Sequence, residues 1–183
     1  MAKPRLDDPL TADQLRALLD YDRKSGKFFW RTRKVFSHHD RTWNTRYAGT
    51  LAGHPKAPYG YNHIKINDQQ YRAARLAWLW MTGSWPDDEV DHIDTDPTND
   101  RWRNLRVATP SQQKMNRGMR SNNTSGAKGV WYDKRRAAGA RWRAEILAYG
   151  KKYRLGSFPT LLDAKAARDE AAKRLHGKFA RTD

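Results

Sequence analysis

No uninterrupted apolar run in this chain exceeds the six residues Leu76–Met81, far too short to cross a bilayer. What the 183 residues bury must go into modest cores, one for an ordinary domain or two for a pair of small ones. The first residues carry Pro4, Asp7 and Asp8 where a signal peptide would have an apolar stretch. There is no cysteine, which excludes a disulfide scaffold, a thiol nucleophile and a thiolate zinc site, and fits a reducing compartment. Eight tryptophans argue against a merely disordered basic tail.

Charge selects the partner. The formal net charge is +16, a self-repulsion that a polyanion relieves. Nucleic acid leads; an anionic membrane comes second, because no amphipathic or lipidated segment shows. Residues 1–90 hold 15 basic and 10 acidic side chains, residues 91–117 five and four, and residues 118–183 sixteen and six. Most of the excess thus follows the polar stretch Gly118–Gly126, which has linker composition. A boundary there gives a first module over 1–117, a linker over 118–127 and a second module over 128–183. The low net charge of 91–117 gathers Asp91, Asp94, Asp96 and Asp100, and a metal ion is a common reason for such acid in a DNA-seeking protein.

The expected fold class is α+β. Thr11 caps a helix to about Asp20, and Lys27–Arg33 reads as a strand. Residues 34–58 carry no assignable pattern. Tyr61–Ile66 and Gln70–Arg72 form a hairpin, and Ala73–Thr82 a helix closed by Gly83. Val90–Ile93 and Leu105–Val107 read as strands around a loop, followed by a helix from Thr109-Pro110 to about Arg117. The last third reads as strands Lys128–Asp133, Arg141–Leu147 and Lys151–Phe158, then a helix over about Leu161–His176, with Ala164, Ala167, Ala171 and Leu175 as its inner stripe.

The strand–loop–strand–helix order over 90–117 brings together Asp91, His92, Asn104 and either Gln113 or Asn116. One carboxylate and one amide oxygen suit a hard divalent cation that keeps its waters, and a neutral imidazole can take a proton from water. An amide oxygen on the far ring nitrogen would fix the tautomer. These parts suit metal-assisted phosphodiester hydrolysis. Against this, neighbours on a strand point to opposite faces, so Asp91 and His92 share a site only on a bent strand. An Asp-His pair alone is more often a satisfied surface pair, and Asn99 and Asp100 read equally well as turn residues. An EF-hand from Asp94 fails, because Asn99 and Leu105 stand where Gly and Glu are needed. His38, His39, His54 and His63 lack ligand spacing and are structural or DNA-facing, while Trp78, Trp80 and Trp85 are core.

The segments Asp91-His92-Ile93-Asp94, Asn99–Arg106, Ala108–Gln113 and Asn116-Arg117, with Tyr71–Trp78 before them, resemble the phage-type HNH homing endonucleases of the ββα-metal fold. The resemblance implies Asp91 as metal ligand, His92 as general base and Asn104 as its orienter, with one Mg²⁺ or Mn²⁺ per site. The family's second ligand, an Asn, falls on Gln113, and Asn116 is the substitute one turn on. It also implies a phage-encoded or bacterial protein acting in the host cytoplasm, as a monomer, without a small-molecule cofactor.

In Arg141–Leu147 and Lys151–Phe158, period two puts Arg141, Arg143, Glu145, Lys152 and Arg154 on one face and Trp142, Ala144, Ile146, Tyr153 and Leu155 on the other. The construction is a three-stranded antiparallel sheet, a helix on its apolar side and a basic side left bare. Such a ribbon fits the major groove. Residues 128–179 resemble the plant ethylene-response-factor (apetala-type) DNA-binding domain. That implies contacts to double-stranded DNA from Lys128, Trp131, Arg141, Arg143, Glu145, Lys152 and Arg154. Trp131 and Leu147 stand where those domains favour Arg, so their target sequence does not carry over. The expected function is a metal-dependent DNA endonuclease of the homing type. The rival is a catalytically inactive, sequence-specific DNA-binding regulator, and an RNA-binding structural protein is weaker because the Asp-His-Asn set would be idle.

Overall fold

The computed structural model describes residues 10–56, 60–119, 121–136 and 139–181; Pro4, Asp7, Asp8 and Arg120 lie outside them. The chain is mixed α and β, with small sheets in two compact units, Met1–Val107 and Ala108–Asp183. Among the described residues no helix is long and apolar enough to cross a membrane.

The first unit opens with α1 (Ala12–Leu18), started by a capping box in which Thr11 and Gln14 satisfy each other's backbone amides. The helix ends at Leu18, short of the expected Asp20, because Leu19 enters β1 (Leu19–Asp22), which pairs antiparallel with β2 (Lys27–Trp30). That pairing stacks Tyr21 on Phe28 at 4.7 Å between ring centroids. Residues 34–58, unassignable from sequence, contain α2 (His38–Tyr47), β3 (Leu51–Ala52) and β4 (His54–Lys56). Then come β5 (Tyr61–Ile66), β6 (Gln69–Arg72), α3 (Ala73–Thr82) and β7 (Glu89–His92). A 3-10 turn at Trp102–Asn104 leads into β8 (Leu105–Ala108), which pairs with β7.

The core of this unit joins Leu15 and Leu19 to Phe28, Ile64, Leu76 and Leu79, each at most 1% exposed. Each such side chain contributes about 1.5–3 kcal/mol on burial. Trp78, Trp80 and Trp85 pack against it as expected.

The second unit holds α4 (Pro110–Asn116), β9 (Val130–Tyr132), β10 (Trp142–Ala148), β11 (Lys151–Phe158) and α5 (Leu161–His176). The three strands form one antiparallel sheet in the order β11-β10-β9. Helix α4, which the sequence pattern groups with the first module, packs Met115 against Ala148 and Phe179. A bulge between Ala144 and Glu145 leaves Leu155 unopposed in the register, and its side chain packs against the core on the inner side. Gly129 has φ +70°, and a Cβ there would lie 2.5 Å from the Glu145 carbonyl oxygen. The inner stripe of α5 differs from the expected one. Arg168, 2% exposed, takes the place of Ala167, with its guanidinium on the Arg181 carbonyl and 3.3 Å from Asp169.

Candidate active site and sheet face

In the first unit, β7 and the loop after it gather the polar groups that the core excludes. His92 is 5% exposed and its Nε2 lies 2.9 Å from Oδ1 of Asp100, which is 2% exposed. A carboxylate can only accept, so Nε2 carries the proton and the lone pair of a neutral ring lies on Nδ1. Asp100 is fixed in turn: Asn62 Nδ2 donates to its Oδ2 at 2.8 Å, and the Tyr21 hydroxyl donates to its carbonyl at 2.6 Å. Burial, with the Asp100 and Asp22 charges, pushes the Tyr21 phenol well above its ordinary range, so it stays a donor.

The backbone of 100–102 leans on the β1–β2 turn. Trp102 N donates to the Arg23 carbonyl, and Arg101 Nε to the Lys24 carbonyl. Gly26, at φ +78°, has room for no side chain, because a Cβ would fall 2.4 Å from Arg101 N and 2.5 Å from Asp100 C.

Asn104 does a different job from the one expected. Its Oδ1 accepts from Asp94 N at 3.1 Å, and its Nδ2 donates to Asp94 Oδ1 at 2.9 Å and to the Asn99 carbonyl at 2.8 Å. It thus ties the loop across its neck, while the ring nitrogen of His92 goes to Asp100. Burial works against the Asp94 carboxylate, but hydrogen bonds from Asn104, Asn99 and the Asp96 amide outweigh it and hold the group below the usual range.

Asp91 takes a separate partner from His92, as strand alternation requires. Arg106 on β8 meets its Oδ2 with Nε and Nη2, both at 2.9 Å, and both side chains are 12% exposed. Among the described residues no three His, Cys, Asp or Glu side chains form a metal cluster. Asp91 itself offers a hard carboxylate oxygen, the donor type that Mg²⁺ and Mn²⁺ take while retaining water.

In the second unit, α4 carries Gln113, half-buried, and Asn116, 4% exposed, three residues apart and so on one side of the helix. The helix start is as read, with Thr109 and Gln112 in a reciprocal cap and Pro110 in the first turn.

The outer side of the sheet is laid out in rows. Arg143 lies between Trp131 and Ser157, Glu145 beside Arg154, and Leu147 beside Lys152. The Arg143 guanidinium stands 5.6 Å from the Trp131 ring centroid and 3.7 Å from Asp133, and Lys152 Nζ is 3.2 Å from Glu145. Five of the seven residues expected on this face share it. Lys128 and Arg141 have other work: the Lys128 ammonium caps the Met115 and Arg117 carbonyls at the end of α4, and Arg141 binds the Arg136 carbonyl and the Tyr132 hydroxyl.

Sequence reasoning marks Asp100 only as one of four clustered acids or as a turn residue, not as the partner of His92, and it misses Asn62 and Arg106 as neighbours of the expected site. A pair with opposite charges on adjacent strands hints at Arg106; no sequence signal marks Asn62.

The HNH endonuclease family matches residues 71–115, a span holding α3, β7, the loop, β8 and most of α4. Protein 3.8 of Escherichia phage T7 is 36% identical over 121 residues, covering 64% of this chain and 97% of that protein. An uncharacterized HNH endonuclease of Acanthamoeba polyphaga mimivirus is 33% identical over 103 residues, 56% of this chain and 51% of that protein. No solved structure gives a match. With the phage relative covered almost end to end and His92 and its loop inside the matched domain, the chain belongs to the HNH endonuclease family.

Proposed function

We propose that the protein is a metal-dependent endonuclease of the homing type, acting as a monomer on double-stranded DNA in a bacterial cytoplasm, with His92 as general base. The observation that carries this reading is the buried His92–Asp100 pair, 2.9 Å long, within the matched HNH domain. His92 Nδ1 takes a proton from water, the oxygen so freed bonds to phosphorus, and the P–O bond to the leaving strand end breaks. That end leaves with a proton from solvent. Asp100 holds the ring and offsets the charge it gains, the role of a positioning residue. Asn104 keeps the loop closed around them.

Asp91, with the amide oxygen of Gln113 or Asn116, would hold one Mg²⁺ or Mn²⁺, which supplies charge stabilisation at the leaving oxygen. The second unit is read as an ethylene-response-factor-like DNA-binding domain. The row pairing of Trp131, Arg143, Glu145, Lys152 and Arg154 on one face of its sheet supports that.

The test is plasmid conversion with Mg²⁺ or Mn²⁺. Asp91→Ala should regain part of its activity at raised metal, while no metal level restores His92→Ala. Gln113→Ala should raise the metal requirement and Gln113→Asn keep or improve activity; if only Asn116→Ala raises it, Asn116 is the ligand. A second reading, the inactive DNA-binding regulator, is favoured by Gln113 in the family's Asn position and by the Arg106 pairing of Asp91. It wins if wild type cuts no DNA with any divalent metal.

A further inference from the structure

Helix α2 is unusual in having no buried residue. Its sequence, His-His-Asp-Arg-Thr-Trp-Asn-Thr-Arg-Tyr, is poor in strong helix formers, and ten residues are too few to persist in water on propensity alone. Two side chains anchor it. Trp43 lies under the Arg33 guanidinium, 3.6 Å from its ring centroid, and edge-on to Trp30 at 5.6 Å. Asn44 exchanges two 2.9 Å hydrogen bonds with the Arg33 backbone. The rest of the helix faces outward, so the fold holds it in place without using it as core.

What it displays is basic and aromatic. Residues 33–47 contain four basic side chains and one acidic, a net of +3. The acid, Asp40, is turned into the helix cap, where it accepts from the Ser37 hydroxyl at 2.7 Å and from the Phe36 and Ser37 amides. Those bonds, the Ser37 hydroxyl first, hold its carboxyl below the usual range. The same bonds pin the backbone of Phe36 while its side chain stands 86% exposed, beside Val35 at 49%. An apolar side chain fixed outward among cations fits a partner that offers both anions and an apolar interior. Duplex DNA does so, through its phosphates and its base steps.

We infer that residues 33–47 form a DNA-binding surface of the first unit, in which Lys34, Arg41 and Arg46 contact phosphates and Phe36 packs against bases in the groove. The inference rests on DNA being the substrate, and it gives the unit that carries His92 its own hold on that substrate.

The test uses the full chain with EDTA present and a duplex of about three helical turns, followed by fluorescence anisotropy from low to high salt. The triple variant K34A/R41A/R46A should flatten the dependence of log Kd on log salt by about 0.9 for each phosphate no longer neutralised. Phe36→Ala should weaken binding several-fold at an unchanged slope, and should abolish the fluorescence rise of a 2-aminopurine placed in the duplex. All four side chains are exposed, so circular dichroism should be unchanged. A wild-type slope and affinity in the triple variant overturn the inference. So does a loss of binding to phosphatidylserine vesicles with DNA binding intact, which would make this a membrane surface. EDTA keeps the nuclease question apart. A protein that binds through this surface yet never cuts with Mg²⁺ or Mn²⁺ keeps the surface and loses the nuclease reading; one that cuts while the triple variant binds normally does the reverse.

Discussion

Each unit contains one buried histidine among its described residues, and the two are held almost alike. His92 is 5% exposed with Nε2 at 2.9 Å from Asp100; His176 is 4% exposed with Nε2 at 3.0 Å from the Leu147 carbonyl. What differs is the charge around them. His92 has a carboxylate that can compensate a proton arriving on the ring. His176 has a neutral acceptor, and burial first, then the Arg168 and Lys128 charges, push its imidazole below the ordinary range. The first arrangement suits proton transfer and the second suits a neutral spacer between strand and helix. Burial of a histidine is therefore no guide to its role, whereas the charge of its partner is.

The sharpest way to break this contrast is to delete each ring. His92→Ala should lower cleavage by about 10²–10⁴-fold while leaving DNA affinity nearly unchanged, because phosphate contacts dominate that affinity. His176→Ala should leave the chemistry intact and cost about 1–3 kcal/mol of stability through the unsatisfied carbonyl of Leu147. Rate measurements at saturating DNA and thermal melts separate the two; equal loss of rate in both would erase the distinction.

A smaller effect is expected from Asp100→Asn, which exchanges a charged acceptor for a neutral one and so makes His92 more like His176. The difference is about 1–2 kcal/mol, or roughly 5–30-fold in kcat with KM little moved. A change confined to KM would assign Asp100 to substrate binding instead.

On the sheet of the second unit charge is counted more than aimed, so losses there should be graded. Arg143→Ala and Arg154→Ala should each reduce the slope of log K against log salt by about 0.9 per phosphate left without its cation. If discrimination between sequences falls while the slope holds, the arginine concerned reads a base. The smallest effect is set by pH. Because the folded state depresses the His176 imidazole, its contribution is full above the unfolded value, about 6.5, and declines as pH falls through it. Melts from mildly alkaline to mildly acidic pH should show a gradual decline that His176→Gln lacks.

Much of the architecture is legible in the sequence because it is periodic. The hairpin at 61–72, the helix at 73–82 and the last two strands and helix follow spacings of two or of three to four residues, and they fold where those spacings say. Helix α2 escapes because it buries nothing, so no apolar stripe marks it. The end of α1 falls earlier than its pattern suggests because the Tyr21–Phe28 pairing, a tertiary event, claims Leu19 for a strand. At the site, motif spacing points to Asp91, His92 and Asn104. The partner of His92 is hidden, since Asp100 has the composition of a turn and acquires its role only when Asn62, 38 residues earlier in the chain, closes on it.

The closeness of the hairpin turn at Gly26 to the loop around His92 bears on how this protein can vary. Its backbone passes so near that of Asp100 and Arg101 that a single methyl group would collide with it. A library randomised over residues 23–26 and selected for cutting should return glycine at 26 as stubbornly as histidine at 92. The N-terminal hairpin is thus no detachable ornament: grafting it, trimming it or replacing it with a longer loop would be an operation on the loop around His92, carried out from some 70 positions away along the chain.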